Sequence, residues 1–278
     1  MKDGFVPYSL PPSPKKGLGQ NFLSDKNILE RIVSWIPEEF HHLSIEIGTG
    51  TGALTRLLSH RFSTVITVEK DERLVKWLKE CGSLPKNCVL LHEDVLRLSF
   101  EKLIKGQGLE TAYVAGNLPY NISSQVVFKL CQEERWVSGA CLLFQKEVAQ
   151  RITAGPSCKS YGVLSLAAQH FFRVRAVMDL HPQLFRPRPK VVSTLVLFDK
   201  RLDGPKAVDF NCFLNVVKAA FSQRRKKIIN SMAARIKIDK GKLKEILARS
   251  GIDPGCRAEE VDLDHFVRLS NEISNGFV

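Results

Sequence analysis

The fold of this chain is decided by the stretch LSIEIGTGTG, residues 43–52. Its first half is a short apolar run that predicts a buried strand, and residues 53–60 have the apolar spacing of a helix. Glycines allow positive φ and a close approach of the backbone to a ligand, and a helix after such a loop offers free N–H groups. The spacing Gly-x-Gly-x-Gly is neither the dinucleotide fingerprint nor a Walker loop. It favours a nucleoside with a small zwitterionic tail, and a tight turn without a ligand is the alternative.

Acidic residues follow the next two predicted strands at the same relative position. Residues 63–68 are β-rich and end before Glu69, and residues 88–92 lead to Glu93 and Asp94. An acid about 20 residues past a glycine loop is placed to accept both hydroxyls of a ribose. A carboxylate after the third strand can accept from an adenine amine. Taken alone, each acid is better explained as a solvated strand end, but together they lie where open α/β sheets bind ligands.

A fourth strand, residues 113–115, is followed by the motif GNLPYN at residues 116–121. The Asn117 side-chain oxygen can accept a hydrogen bond from an exocyclic amine, and the Leu118 carbonyl can point the same way because it precedes Pro119. The Tyr120 ring offers a face on which an extruded base can stack. Two acceptors on one amine leave its lone pair directed at an electrophile, so the motif predicts alkylation of a nucleobase amine. The alternative is a strand-ending turn with a core tyrosine.

The composition favours an intracellular protein that binds a polyanion. The chain has 278 residues, 44% of them hydrophobic, and a net charge of +12, which points to nucleic acid. It has no apolar run of about 18 residues, so no membrane span is expected, and no secretory signal is expected either. The seven cysteines are scattered, odd in number and without a Cys-x-x-Cys pair. We therefore expect free thiols, no metal site and a cytoplasmic location.

The pattern of the sequence changes near residue 205. Before it, β-rich runs alternate with helical ones, and after it the spacing predicts only helices. Residues 200–250 contain 14 Lys and Arg against 4 Asp and Glu, so +10 of the net charge of +12 lies there. We expect an α/β catalytic domain at residues 1–204, with residues 1–14 flexible, and a small, basic, all-helical domain at residues 205–278.

The motifs together resemble those of S-adenosylmethionine-dependent methyltransferases that act on exocyclic amines: EIGTGTG, the acid after the second strand, LHEDVL and GNLPYN. Two further stretches, GQNFL at residues 19–23 and FRPRPKVVS at residues 185–193, narrow the resemblance to the ribosomal RNA adenine N6-dimethyltransferases. The similarity runs from about Lys16 to the end of the chain. Many methyltransferases carry Asp where this chain has Glu46, but Glu is common in this family.

The resemblance implies a Rossmann-like methyltransferase sheet with a small helical C-terminal domain, and S-adenosylmethionine as methyl donor without a metal. It implies N6,N6-dimethylation of two adjacent adenosines in small-subunit ribosomal RNA, with an immature small subunit as partner and a monomeric enzyme. Three alternatives stay open: a large-subunit rRNA adenine N6-methyltransferase of the resistance type, a DNA adenine methyltransferase, and a non-catalytic ribosome assembly factor. Intact Glu69, Asp94, Asn117 and Tyr120 speak against the last of these.

The resemblance and the charge distribution also assign roles to individual residues. The implied catalytic set is Asn117, Leu118, Pro119, Tyr120 and Phe185. In it, Phe185 stacks on the base opposite Tyr120, and the alternative is that Phe185 is only a hydrophobic plug. The expected cofactor-binding residues are Gln20, Asn21, Leu23, Gly48, Gly50, Glu69, Asp94 and Asn117. The expected RNA-binding residues are Lys15, Lys16, Arg224, Arg225, Lys226 and Lys227, for which a solvated surface is the alternative.

Overall fold

The computed structural model describes residues 10–275, without the side chain of Lys16. Residues 1–9 of the segment that we expect to be flexible lie outside the described residues. The strands are β1 (Phe22–Leu23), β2 (Leu43–Ile47), β3 (Thr64–Glu69), β4 (Cys88–His92), β5 (Ala112–Asn117), β6 (Val137–Gln145), β7 (Phe172–Leu180), β8 (Phe185–Arg186) and β9 (Ser193–Lys200). The helices are α1 (Lys26–Ser34), α2 (Ala53–Arg61), α3 (Glu72–Cys81), α4 (Phe100–Lys105), α5 (Ser123–Gln132), α6 (Lys146–Thr153), α7 (Val163–Phe171), α8 (Phe210–Ala220), α9 (Ile228–Ala233), α10 (Lys240–Arg249) and α11 (Leu263–Asn275).

Seven strands form one sheet in the order β4-β3-β2-β5-β6-β9-β7. The pairs from β4 to β6 are parallel, and β9 is antiparallel to β6, with Ser193 opposite Gln145. β1 and β8 form a separate antiparallel pair. This mixed sheet, with helices in the connections, confirms the expected Rossmann-like α/β fold. The strands expected at residues 43–47 and 88–92 have those bounds in the structure.

The direction of strand succession reverses at β2, which lies between β3 on one side and β5 on the other. Ligands of open α/β sheets bind at such a switch point, outside the carboxyl ends of the strands. The two strands approach each other closely there, since a Cβ atom on Gly116 would lie 2.5 Å from the Ile47 carbonyl oxygen. Glycine is therefore required at position 116. Because glycine has no side chain, the end of β5 can lie beside the glycine loop.

Apolar side chains of the sheet pack against the N-terminal elements. One buried cluster includes Leu29 of α1, Leu58 of α2 and Tyr113 of β5. Leu23 of β1 and Phe185 of β8 belong to the same cluster. The cluster therefore holds the segment before α1 next to the sheet, close in space to strands that lie far away in sequence.

The chain divides into two compact units. One unit extends to Ala149 and takes up Arg175–Asp199, and the other contains Gln150–Val174 and the chain from Lys200 onward. This division differs from the single boundary expected at residue 205, because the second unit also includes residues 150–174. The reason is packing: Tyr161 and Leu166 are buried in one cluster with Phe213 of α8 and Phe266 of α11. The elements after residue 205 are all helical, as expected.

Two kinds of feature are absent from residues 10–275. None of their helices is both long enough and apolar enough to cross a membrane. No three His, Cys, Asp or Glu side chains of these residues are grouped to hold a metal ion. All seven cysteines are free thiols.

Candidate active site

A cavity lies at the switch point of the sheet, at the carboxyl ends of β2, β3, β4 and β5. Its volume is about 1000 Å³ when the solvent in its open mouth is included. The lining includes Gln20, Asn21, Leu23, Gly48, Gly50, Glu69, Asp94, Asn117, Leu118 and Pro119. The structure thus brings every expected cofactor-binding residue to one place, all within the α/β unit.

The glycine loop meets this cavity with main-chain atoms. Gly48, Gly50 and Gly52 have φ angles of 82°, 56° and 73°, in a region that residues with a side chain rarely adopt. Gly52 is the N-cap of α2, so the cavity faces the N-terminal end of that helix. The loop therefore offers polar backbone and the positive end of a helix dipole without side-chain bulk.

Glu69 closes β3 and is 7% exposed. Its Oε2 accepts a hydrogen bond from the Gly50 amide at 3.0 Å, and its Oε1 accepts one from the Asp71 amide at 2.9 Å. Burial raises the pKa of Glu69, and the two backbone donors act against that rise. Each oxygen keeps a further lone pair. The carboxylate is thus held in a fixed orientation from which it can accept two ribose hydroxyls.

Asp94 follows β4 and is held in a similar way. Its Oδ2 accepts from Lys70 Nζ at 2.8 Å, and its Oδ1 accepts from the Leu96 amide at 3.0 Å. The hydrogen bond from Lys70 is the main reason that the pKa of Asp94 is lowered. Asp94 is therefore ionised at neutral pH and is an acceptor for an amine. Lys70 has no role in the sequence analysis, although it follows Glu69 directly.

Glu46 is a buried acid beneath the loop to which the sequence analysis assigns no role. Its Oε2 accepts from Thr55 Oγ1 at 2.5 Å and from Thr67 Oγ1 at 2.6 Å. Among the described residues, its Oε1 has no hydrogen-bond partner, and Glu46 lines the cavity. Burial raises the pKa of Glu46 to about 7 against the effect of both threonines. The sequence signal that could have identified Glu46 as a site residue is an acid inside a strand that is predicted to be buried.

The Asn117 amide is oriented by the main chain of the N-terminal segment. Its Nδ2 donates to the Asn21 carbonyl oxygen at 2.8 Å. This contact leaves the Asn117 Oδ1 as the acceptor end of the amide at the cavity. The next residue, Leu118, is 2% exposed, and its side chain anchors the motif in the core. The acceptor role of Asn117 toward an exocyclic amine stays a prediction.

Tyr120 begins a short 3-10 turn, Tyr120–Ile122. Its hydroxyl lies 2.7 Å from the Oγ of Ser193, which is buried at the start of β9. Burial raises the pKa of Tyr120, and the hydrogen bond with Ser193 acts against that rise. The ring is half-buried and lies beside the cavity-lining Pro119 in sequence without itself lining the cavity. Base stacking on Tyr120 stays a prediction.

The structure does not present Phe185 as a stacking surface. Phe185 is 1% exposed, and it pairs with Leu23 in the β1–β8 ladder. It lies in the same buried cluster as Leu180 and Leu195. Because side chains alternate along a strand, Arg186 points to solvent while Phe185 points into the core. In this structure Phe185 is therefore a hydrophobic plug, and its stacking on a base opposite Tyr120 stays a prediction.

Gln20 links the N-terminal segment to the start of α3. Its Nε2 donates to Asp71 Oδ2 at 3.1 Å, and its Oε1 accepts from the Lys15 amide at 2.7 Å. The hydrogen bond from Arg73 is the main cause that lowers the pKa of Asp71 to about 2. The Lys15 ammonium lies 3.9 Å from Asp71. Asp71 has no role predicted from the sequence, and its carboxylate attracts the ammonium of Lys15, which is also exposed to solvent.

The expected RNA-binding residues of the helical unit fall into two groups. Arg224 is bound by other residues of the same unit, since its guanidinium donates to Glu259 at 3.1 Å and to the Lys159 carbonyl at 2.6 Å. Arg225, Lys226 and Lys227 are exposed, and none of the three forms an ion pair within residues 10–275. Arg224 thus makes contacts that stabilise the helical unit, whereas the side chains of the other three residues are available to bind phosphates. The Lys16 side chain lies outside the described residues.

The donors and acceptors of the cavity fit S-adenosylmethionine. Glu69 and Asp94 offer oriented carboxylates for a ribose and for an adenine amine. The glycine loop allows a close approach of the cofactor to the backbone. The unpartnered Oε1 of Glu46 is a buried acceptor in the wall, and it suits the positive charge of an amino-acid tail.

Known proteins are similar to this chain along nearly its whole length. The profile of the Ribosomal RNA adenine dimethylase family matches residues 13–275. The chain is 38% identical over 264 residues to the Ribosomal RNA small subunit methyltransferase A of Alkaliphilus oremlandii, which covers 93% of this chain and 91% of that protein. Two solved structures have a similar fold. The first is a dimethyladenosine transferase from Plasmodium falciparum, with TM-score 0.74, 24% identity and coverage of 91% of this chain and 98% of that chain. The second is the 23S rRNA methyltransferase ErmE, with TM-score 0.67, 24% identity and coverage of 91% and 100%. Because the family profile matches residues 13–275, the chain belongs to the ribosomal RNA adenine dimethylase family.

Proposed function

We propose that this protein transfers methyl groups from S-adenosylmethionine to N6 of adenosines in small-subunit ribosomal RNA. The product is N6,N6-dimethyladenosine at two adjacent adenosines, formed in the cytoplasm by a monomeric enzyme during maturation of the subunit. The observation that carries the proposal is the Asn117 amide at the edge of the cavity, whose Nδ2 donates to the Asn21 carbonyl and so leaves Oδ1 as the acceptor end. An amide held in this way accepts from an exocyclic amine.

The chain's residues activate the amine without a strong base. Asn117 Oδ1 and the Leu118 carbonyl accept both N6–H groups, which favours a pyramidal nitrogen and frees its lone pair. When bound, S-adenosylmethionine supplies an electrophilic methyl group on its sulfonium. Most of the rate gain comes from positioning and from fixed dipoles. Water accepts the proton after transfer, when the nitrogen has become acidic.

Recognition of the RNA requires more than the pocket for one nucleotide. Arg225, Lys226 and Lys227 are exposed cations of the helical unit. The chain carries most of its net charge in residues 200–250, with 14 basic and 4 acidic residues. A Lys or Arg side chain that contacts an RNA phosphate displaces counterions condensed on the RNA, which favours binding. We therefore assign these three residues to the RNA backbone, while the α/β unit receives the adenosine.

The proposal is tested with radiolabelled S-adenosylmethionine and immature small subunits, followed by mapping of the label. Asn117→Ala is the matched inactive control, because it removes the acceptor and leaves Glu69 and Asp94 in place. Label on N6 of adenosines in small-subunit RNA supports the proposal. Label in large-subunit RNA or in duplex DNA identifies one of the alternative enzymes. Binding of the subunit without any label identifies an assembly factor.

A further inference from the structure

We propose that residues 20–23, here called the strap, form a positioning element that sets the orientation of the Asn117 amide. Asp71 holds one end of the strap and Phe185 holds the other. The proposal rests on the proposed function, since it concerns the residue that receives the target amine. It gives Gln20 and Phe185 a role in catalysis that acts through another residue.

The strap reaches Asn117 through a single main-chain atom. The Asn117 Nδ2 donates to the Asn21 carbonyl at 2.8 Å, although 96 residues separate them in sequence. An asparagine amide rotated by half a turn would present Nδ2 to the target amine, and two N–H donors cannot bond to each other. A carbonyl only accepts, so it permits one of the two orientations. The Asn21 carbonyl thereby ensures that the amine meets an acceptor.

The first anchor of the strap is Gln20. Its Nε2 donates to Asp71 Oδ2 at 3.1 Å. Asp71 is 2% exposed and is itself fixed by Arg73, whose guanidinium donates to both carboxylate oxygens at 3.1 and 2.7 Å. Asp71 also caps α3 by accepting from the Arg73 amide. The residue before Asn21 is therefore tied to the rigid start of a helix.

The second anchor is the β1–β8 pair. Leu23 lies opposite Phe185, and Phe22 lies opposite Arg186. Leu23 is 5% exposed and Phe185 is 1% exposed. A side chain buried to this degree cannot stack on a base without leaving the core. Phe185 thus acts on Asn117 through β1, and with both flanks of Asn21 anchored, its carbonyl has little freedom to move.

Phe185→Leu distinguishes positioning from stacking. Leucine keeps an apolar side chain against Leu23 but has no ring, so we expect this variant to retain about one third or more of the wild-type kcat. A stacking role predicts a loss of about tenfold or more. Phe185→Ala leaves a cavity that can prevent folding, so Phe185→Leu is the decisive variant.

Gln20→Ala tests the other anchor. We expect kcat to fall by about tenfold to 100-fold, because the reacting amine is displaced, while the KM for S-adenosylmethionine changes much less. The matched control is Asn87→Ala, which removes another part-buried amide that bonds two carbonyls, those of Ser59 and Phe62, away from the cavity. The control should keep the wild-type kcat.

A second readout does not depend on activity. In nitrogen-15-labelled protein, the side-chain amide protons of Asn117, assigned with Asn117→Asp, should be protected from solvent exchange. Protection should persist in Phe185→Leu and be lost in Gln20→Ala. Three results overturn the strap: an unchanged kcat with a raised KM in Gln20→Ala, continued protection of Asn117 in that variant, or a Phe185→Leu enzyme as inactive as Phe185→Ala. An inactive wild-type enzyme overturns the proposed function instead and leaves the exchange measurement intact.

Discussion

The Tyr120 hydroxyl lies 2.7 Å from the Oγ of Ser193, so the motif after β5 is tied to the first residue of β9. The hydrogen bond holds the aromatic ring in one orientation. A bond of this kind contributes about 1 kcal/mol, whereas stacking of a base on an aromatic ring contributes about 1–3 kcal/mol. The ring of Tyr120 is therefore expected to matter more for activity than its hydroxyl.

Substitutions at Tyr120 test this ranking. We expect Tyr120→Phe to keep the methyl-transfer rate within about fivefold of wild type, because only the bond to Ser193 is lost. Tyr120→Ala should lose more, about tenfold to 100-fold, since the stacking surface disappears. Ser193→Ala should behave like Tyr120→Phe. Single-turnover transfer to immature subunits measures all three, and equal damage by Phe and Ala would show that stacking is not the main role.

Glu69→Ala should weaken binding of S-adenosylmethionine by more than about tenfold. Hydrogen bonds to a charged acceptor contribute about 1.5–3 kcal/mol each, and Glu69 is placed to accept two. Isothermal titration calorimetry on the folded variant measures the change. Glu72→Ala is the control, because Glu72 is an exposed acid in the same region that does not line the cavity. Unchanged affinity in Glu69→Ala would remove Glu69 from the cofactor site.

Asn117→Ala should lower kcat far more than it lowers cofactor affinity. The side chain is assigned to the target amine, so its loss removes an acceptor that acts in the transition state. The contact with Asn21 is lost as well, which frees the strap. Comparison of kcat with the calorimetric dissociation constant of S-adenosylmethionine checks this prediction. A parallel loss of both quantities would assign Asn117 to the cofactor instead.

The basic cluster of the helical unit provides a matched pair of variants. Neutralising Arg225, Lys226 and Lys227 to Gln should weaken RNA binding and reduce the slope of log K against log salt by about 0.7 for each phosphate contact. Arg224→Gln should mainly lower the free energy of unfolding, by about 1 kcal/mol, because it breaks the contact with Glu259. Filter binding at several salt concentrations and urea unfolding separate the two effects. A salt slope unchanged in the triple variant would indicate a solvated surface.

Glu46 makes stability depend on pH in an unusual direction. Its pKa rises from 4.5 to about 7 on folding, so between these values the folded state binds more protons than the unfolded state. Stability from this group is therefore lost as the pH rises from about 4.5 to 7, by about 3 kcal/mol in total. Glu46→Gln should gain stability relative to wild type across that window and keep the gain above it. Urea unfolding of cofactor-free protein measures the difference, and a gap that is constant with pH would refute the assignment.

Local patterns in the sequence were enough to predict the strands β2 to β5 and the residues at their ends. A short apolar run followed by glycines fixes a strand, a turn and a helix within 20 residues. Because parallel strands end on one edge, Glu69, Asp94 and Asn117 meet there wherever the helices lie. The backbone geometry of the GNLPYN motif is set locally, since Pro119 restricts the conformation of the residue before it. The cavity and its acceptors followed from these local rules.

Contacts between residues far apart in sequence decided the rest. Phe185 has an aromatic ring of the kind that stacks on a base. It pairs with Leu23, which lies 162 positions earlier in the sequence, and its side chain points into the core. Arg224 belongs to a basic run, yet Glu259 and the Lys159 carbonyl bind it. Residues 150–174 join the helices because Tyr161 and Leu166 complete their core. The sequence by itself determined which chemical groups stand at the strand ends, because the end of a strand and its turn chemistry are local. Only the tertiary structure decided how Asn117 is oriented and which side chains stay exposed, because burial and long-range hydrogen bonds depend on the whole fold.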